Sequence, residues 1–152
     1  MTNASTSGIT LRRASVRDLS GVEDLLTRTK LPRGGVDALI DSFIVAEDDG
    51  RLIGVAGVER HGAYGLLRSV AVDPEAQGRG LGRALVERLI AESNENGIAE
   101  LYLLTTTAEK YFPILGFAKI SREATPAEIQ ETDEFTDLCP STATVMRRVL
   151  KT

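Results

Sequence analysis

Three glycines within five positions, in the run Gln77-Gly78-Arg79-Gly80-Leu81-Gly82, constrain this chain more than any other feature. The apolar stretch LLRSVAV stands before them and reads as a strand. The segment LGRALVERLIAES stands after them, with Leu81, Ala84, Leu85, Leu89 and Ile90 on one helical face. Glycine is costly to hold in one conformation, so a backbone this bare between a strand and a helix implies a tight turn or the close approach of a ligand. A helix N-terminus carries partial positive charge and unpaired N–H groups, and Arg79 and Arg83 add charge to the same turn. That combination suits a phosphate-bearing ligand. The spacing excludes a P-loop, which needs a lysine and a hydroxyl after its second glycine. It also excludes the G-x-G-x-x-G dinucleotide fingerprint, which follows the first strand rather than the fourth.

The chain has 152 residues, enough for one domain with a substantial core. Its 42% hydrophobic and 26% charged content exclude wholesale disorder. A net charge of −4 gives no support to a nucleic-acid partner, and no apolar run approaches the ~20 residues of a membrane span. Residues 1–8, MTNASTSG, are small and polar and read as a disordered tail, leaving 9–152 as the single domain. A lone cysteine, Cys139, cannot form an internal disulfide, which fits a reducing cytoplasm. One cysteine and one histidine make no metal site, so no metal is expected.

Along the chain, ITLRR alternates as a half-buried strand. VRDLSGVEDLLTRT has helical spacing after Ser15, a candidate N-cap. KLPRGG breaks that helix, and a short piece, VDALIDS, follows. FIVAED and RLIGVAGVER read as strands joined by the turn Asp49-Gly50, and AYGLLRSVAV as a long strand ended by Asp73-Pro74. After the glycine helix, ended by Asn96-Gly97, IAELYLLT is a strand and TTAEKYFPILGF a second short helix. AKISR is a strand, Thr125-Pro126 with Glu128 reads as a helix start, and TATVMRRVL closes the chain as a strand. The order is that of a mixed α/β domain.

The glycine run resembles the Q/R-x-x-G-x-G/A motif of the GNAT N-acetyltransferase superfamily, with LRSVAVDPEA similar to that family's central strand. The resemblance implies an α/β (α+β) fold with a central mixed, mostly antiparallel sheet of six to seven strands flanked by helices. It implies acetyl-CoA as co-substrate. The pyrophosphate would lie on Gln77, Gly78, Arg79, Gly80, Leu81, Gly82 and Arg83, and the pantetheine arm would pair with Val70, Ala71 and Val72. A homodimer is expected on the same ground. YFPILGF resembles the family's late helix-to-strand segment, with one departure. The tyrosine that commonly returns a proton to the coenzyme A thiolate aligns with Phe112, while Tyr111 stands one position earlier, a helical rotation of about 100°. Tyr111 is therefore both a candidate acid and a candidate packing residue.

LYLLTTTAEKYF resembles bacterial amino-acid N-acetyltransferases, N-acetylglutamate synthase included. LPRGGVDAL, FIVAEDDGRLIGVAG and EFTDLCPS are similar to small GNAT enzymes of arsenic-resistance operons. These likenesses imply a small α-amino acid as acceptor, or a mimic such as phosphinothricin or its arsenic analogue. Such an acceptor needs a group to take its amine proton and a cation for its carboxylate. Glu59 is the candidate base, directly or through water, unless it is a solvated strand-end carboxylate. His61 has the right chemistry but also suits a turn. Arg68 interrupts an apolar strand and reads as carboxylate-binding or as half of a structural salt bridge. Thr105 and Thr106, with Thr107, offer hydroxyls to the ligand or a helix cap. Cys139 borders the acceptor region by the resemblance or serves as an apolar filler. A polyamine, an aminoglycoside and a protein N-terminus stay open as acceptors. A non-catalytic acyl-CoA-binding module and a ligand-free regulatory domain stay open as alternatives to an enzyme.

Overall fold

The computed structural model describes residues 8–106, 108–133, 135–136 and 142–150. The residues proposed as a tail lie outside these, except for Gly8. The chain divides into two compact units, one running to Gly57 and resuming over Ser69–Leu89, the other made of Val58–Arg68 and the chain from Ile90 onward.

In the first unit, β1 (Ile9–Arg13) pairs antiparallel with β2 (Phe43–Asp48), Ile9 opposite Asp48 and Arg13 opposite Ile44. β2 pairs antiparallel with β3 (Arg51–His61), and the register shifts at Ala46/Glu47. Asp49 and Gly50 turn between them with φ of 51° and 80°, the two left-handed steps that a two-residue hairpin of this hand requires. Helix α1 (Leu19–Arg28) buries Val22, Leu25 and Leu26 against Phe43, Val45 and Val55, and α2 (Val36–Leu39) adds Val36. Ser15 starts a 3-10 turn over Val16–Asp18 rather than α1 itself. There Asp18 accepts the Ser15 N–H at 2.8 Å and two Arg12 hydrogen bonds at 2.9 Å. The guanidinium holds the Asp18 carboxyl down at about 2. Helix α3 (Leu81–Glu95) begins directly after the glycine run, and Leu81, Leu85, Val86 and Leu89 of its apolar face are buried.

In the second unit the start of β4 (Tyr64–Val72) pairs parallel with β5 (Glu100–Thr105) from Tyr64 opposite Glu100 to Leu66 opposite Tyr102. β5 pairs antiparallel with β7 (Thr144–Val149), and β7 with β6 (Ala118–Ile120). Leu66, Tyr102, Ile129, Phe135 and Val145 form the core. The Tyr102 hydroxyl donates to Glu100, and burial pushes the phenol well above its usual range. The hydrogen-bonded order through the whole sheet is β1-β2-β3-β4-β5-β7-β6. Among the described residues seven strands, mixed but mostly antiparallel and accompanied by helices, match the expected α/β architecture.

Three local expectations fail. The helix over TTAEKYFPILGF shrinks to a 3-10 turn, Phe112–Leu115, with Pro113 in its first turn and Gly116 ending it at φ 90°. AKISR stays extended only to Ile120, because the Ser121 hydroxyl accepts the Ala124 N–H at 3.2 Å and starts another 3-10 turn. Thr125 does not cap α4 (Ala127–Gln130). Pro126 occupies the cap position, and the Thr125 hydroxyl donates back to the Ser121 carbonyl at 3.3 Å.

Candidate active site

Consider first the strand, turn and helix of the first unit. β4 ends at Val72, and Asp73 caps a 3-10 turn, Pro74–Ala76. The Asp73 carboxylate accepts the Glu75 N–H at 2.9 Å, Arg28 at 2.9 Å and Arg51 at 3.0 Å. Its own N–H reaches the Ile53 carbonyl at 2.8 Å and its carbonyl takes the Ala76 N–H at 2.8 Å. These donors, the Glu75 amide foremost, lower its pKa. The strand exit is thus anchored before the glycines begin. Sequence reading saw in Asp73 only a strand stop; an aspartate before proline, with a free amide two residues on, was the available signal.

Gly78 and Gly80 adopt φ of 87° and 74°, the left-handed region that favours glycine. A side chain at either position would meet nothing within 4 Å. Neither glycine is bare for internal packing; both face open space on an exposed turn, Gln77 to Gly80. The Gly80 carbonyl accepts the Ala84 N–H at 3.0 Å, which opens α3. The first N–H groups of that helix have no intrahelical partner and suit an anion. The Gln77 amide reaches back to the strand end, donating to the Val72 carbonyl at 3.2 Å. Leu81 is buried, Gly82 is half-buried and Arg79 is exposed. Arg83 pairs with Glu87 at 2.9 Å on the exposed side of the helix. Beside this turn lies a cavity of about 200 Å³ whose lining includes Asp48, Asp49, Asp73 and Glu75 with Arg51 and Arg79. Its four carboxylates make it a poor phosphate site. The glycine turn is the better one.

Ahead of the turn, Val70 and Val72 are half-buried and Ala71 is buried. Ser69, just before them, has φ of 60°, an uncommon conformation for a buried non-glycine residue within a strand. One left-handed step interrupts the two-residue alternation, as in a bulge. Nothing in the letters LLRSVAV signals it.

The second unit holds the charged candidates. Arg68 is buried, 3% exposed, and its Nη1 donates to Glu59 Oε1 at 3.1 Å. The other carboxylate oxygen of Glu59 meets His61 Nε2 at 2.7 Å. Glu59 and His61 are two apart on β3 and therefore share a face. Three residues singled out separately from the sequence thus form one hydrogen-bonded chain, Arg68–Glu59–His61. Thr105 Oγ1 accepts the Ala108 N–H at 2.9 Å, so this threonine caps the turn after β5. Thr106 is exposed. Tyr111 is half-buried with its ring edge-on to Phe112, centroids 5.2 Å apart. Cys139 and Thr107 lie outside the described residues. Among the described residues no group of three or more His, Cys, Asp or Glu could hold a metal, and no helix is long and apolar enough to cross a membrane.

Comparison with known proteins agrees with this fold. The amino-acid acetyltransferase of Escherichia coli K12 is 26% identical over 125 residues, which cover 76% of this chain but 28% of that protein. The chain therefore spans just over a quarter of the length of such curated relatives. N-acetylglutamate synthase from Neisseria gonorrhoeae, solved with coenzyme A and N-acetyl-glutamate, superposes with a TM-score of 0.81 at 24% identity, covering 95% of this chain and 35% of that one. Rv2747 from Mycobacterium tuberculosis, solved with CoA and NLQ, superposes with a TM-score of 0.79 at 24% identity, covering 93% of this chain and 99% of that one. Both likenesses carry the fold. The family model described as an acetyltransferase (GNAT) domain matches residues 40–119, a span that takes in β3, β4, the glycine turn and α3. The chain belongs to the GNAT acetyltransferase family.

Proposed function

We propose that this chain is an acetyl-CoA-dependent N-acetyltransferase that acylates the amino group of a small amino acid or amino-acid-like molecule. One observation carries the reading: two left-handed glycines, exposed and unhindered, lead into a 15-residue helix. Such a turn fits a pyrophosphate. The amides from Gly78 to Gly82 would hold it, with Arg79 and Arg83 supplying charge. The peptide groups of Val70, Ala71 and Val72 lie beyond the parallel pairing that ends at Leu66, which leaves them to orient a pantetheine arm and polarise a carbonyl. Bound acetyl-CoA supplies the activated acyl group as a thioester. Arg68 serves the acceptor carboxylate and the Glu59 cluster takes the amine proton. Tyr111 returns a proton to sulfur, and Thr105, Thr106 and Cys139 shape the acceptor side. The amino-acid acetyltransferase relatives favour an α-amino acid. Phosphinothricin and its arsenic analogue are the finer candidates. The single cysteine favours a reducing cytoplasm, and a homodimer is the expected assembly.

The test is thiol release from acetyl-CoA across L-glutamate, other α-amino acids, phosphinothricin, polyamines and an aminoglycoside. Turnover confined to amino acids and their phosphinic or arsenic analogues is the expected result. Turnover with polyamines or the aminoglycoside alone would move the acceptor to another class. Tight acetyl-CoA binding without turnover would make the chain a binding module. Gly80→Val, which forces a branched side chain onto a φ of 74° in the turn, is expected to weaken acetyl-CoA at least tenfold by calorimetry.

A further inference from the structure

The turn that carries Gly78 and Gly80 is fixed at both ends and open in the middle. Before it, the Asp73 carbonyl takes the Ala76 N–H, the Gln77 amide holds the Val72 carbonyl, and Ala76 is buried. After it, Leu81 is buried and the Gly80 carbonyl takes the Ala84 N–H. Between these ends stand two left-handed glycines, with open space where a Cβ would lie. Glycine loses more freedom on being held than any other residue, so the direction of these amides depends on how firmly the ends are set. Whatever sets the ends lowers the ordering cost that a ligand meets on binding.

The first end depends on one carboxylate whose two oxygens have different tasks. Asp73 Oδ1 accepts the Glu75 N–H at 2.9 Å and so holds the turn. Asp73 Oδ2 accepts Arg28 Nη1 at 2.9 Å and Arg51 Nη2 at 3.0 Å. Arg28 is the last residue of α1, and Arg51 is the first of β3. Two guanidiniums on one oxygen leave the carboxylate a single orientation, with Oδ1 toward the turn. They also offset a buried negative charge that stands five positions before Gly78, where an unpaired anion would oppose a pyrophosphate. The remaining charged group of the cluster, Glu75, is exposed and meets Arg51 at 3.4 Å.

We propose that Arg28 and Arg51 position the cofactor turn through Asp73, tying α1 and β3 to the amides that receive the pyrophosphate. The inference rests on the acetyl-CoA binding proposed above, and all of its residues lie in the first compact unit. Neither arginine belongs to the turn; all three are positioning residues. Asparagine at position 73 cannot do both tasks. With its oxygen toward Glu75, its NH2 faces two guanidiniums. With its oxygen toward the arginines, its NH2 faces the Glu75 N–H.

The experiment measures coenzyme A binding to the full chain by calorimetry, and acetyl-CoA kinetics with the best acceptor of the panel. Asp73→Asn and Arg51→Met should each weaken coenzyme A about tenfold. The shared sign is the point. Charge acting directly on the pyrophosphate would make loss of Asp73 tighten binding while loss of Arg51 weakened it. The double variant should bind no more weakly than the weaker single one, because both changes break the same link. KM for acetyl-CoA should rise by the same factor while kcat at saturation stays within about twofold, the pattern of lost binding rather than lost chemistry. Arg28→Met should act in the same direction. The Arg28 and Arg51 side chains are 41% and 59% exposed, so their variants carry the test even where Asp73→Asn does not fold. Asp73→Asn binding coenzyme A as tightly as the wild type or more so, additive losses, or a fall in kcat with KM unchanged would overturn the inference and leave acetyl-CoA binding standing. A wild type that binds no coenzyme A removes that binding itself, and this inference with it.

Discussion

Two carboxylates in this molecule each receive two cationic or hydrogen-bonding side chains, and the pairs are built inside out relative to one another. Asp73 is the buried member of its cluster, its side chain 2% exposed, while its partners Arg28 and Arg51 are 41% and 59% exposed. In the Glu59 cluster the buried member is the arginine. Asp73 also takes an amide N–H and joins two further backbone hydrogen bonds. That is how a side chain holds a backbone turn. At Glu59 the two hydrogen bonds run instead to side chains, those of Arg68 and His61.

The contrast can be broken by four measurements. Asp73→Ala removes a cap and leaves an amide without its acceptor, and should lower stability by about 2–3 kcal/mol in chemical denaturation. A loss below ~1 kcal/mol would show that the turn is held by something else. Acid comes next. Asp73 and Asp18 both have folded pKa values below the ordinary 3.8, Asp18 at about 2. The unfolded chain therefore binds more protons in that window, so their contribution is complete above about pH 4 and is lost as pH falls toward 2. Asp18→Asn should flatten that acid dependence of the melting temperature. Glu59→Gln keeps an acceptor for Arg68 but removes the charge facing a buried guanidinium, so it should cost about 1–2 kcal/mol and lower turnover as well. Equal stability losses at Glu59 and Asp73 would erase the distinction drawn here. The smallest effect belongs to Arg83→Ala. Its pair with Glu87 is exposed, 54% and 53%, so stability should change by less than ~0.5 kcal/mol while acetyl-CoA affinity becomes less salt-sensitive.

Much of this architecture was legible because it depends on local pattern. The spacing of Val22, Leu25 and Leu26, the Asp49-Gly50 turn and the glycine run before α3 all fix their surroundings within a few residues. The helix expected before Gly116 failed for a local reason too: Thr105 closes a short turn and Pro113 removes a backbone donor, so only one 3-10 turn forms. What could not be read was register. Glu59 and Arg68 stand nine positions apart, and no spacing rule announces that their side chains meet. Ser69 is the hardest case, since a serine in an apolar strand carries no mark of a left-handed backbone.

That serine divides β4 into two lengths. A left-handed conformation at a non-glycine residue costs about 1–2 kcal/mol, and the neighbouring structure must hold it. Hydrogen exchange should register the difference within a single strand. The amides of Leu66 and its neighbours, in the parallel ladder, should open only with global unfolding. Those just beyond Ser69 should exchange through a smaller, local opening. Slow and fast amides would then be separated by two or three residues, and binding of a partner along the second length should slow the fast ones. The strand would report its own occupancy as a change in protection.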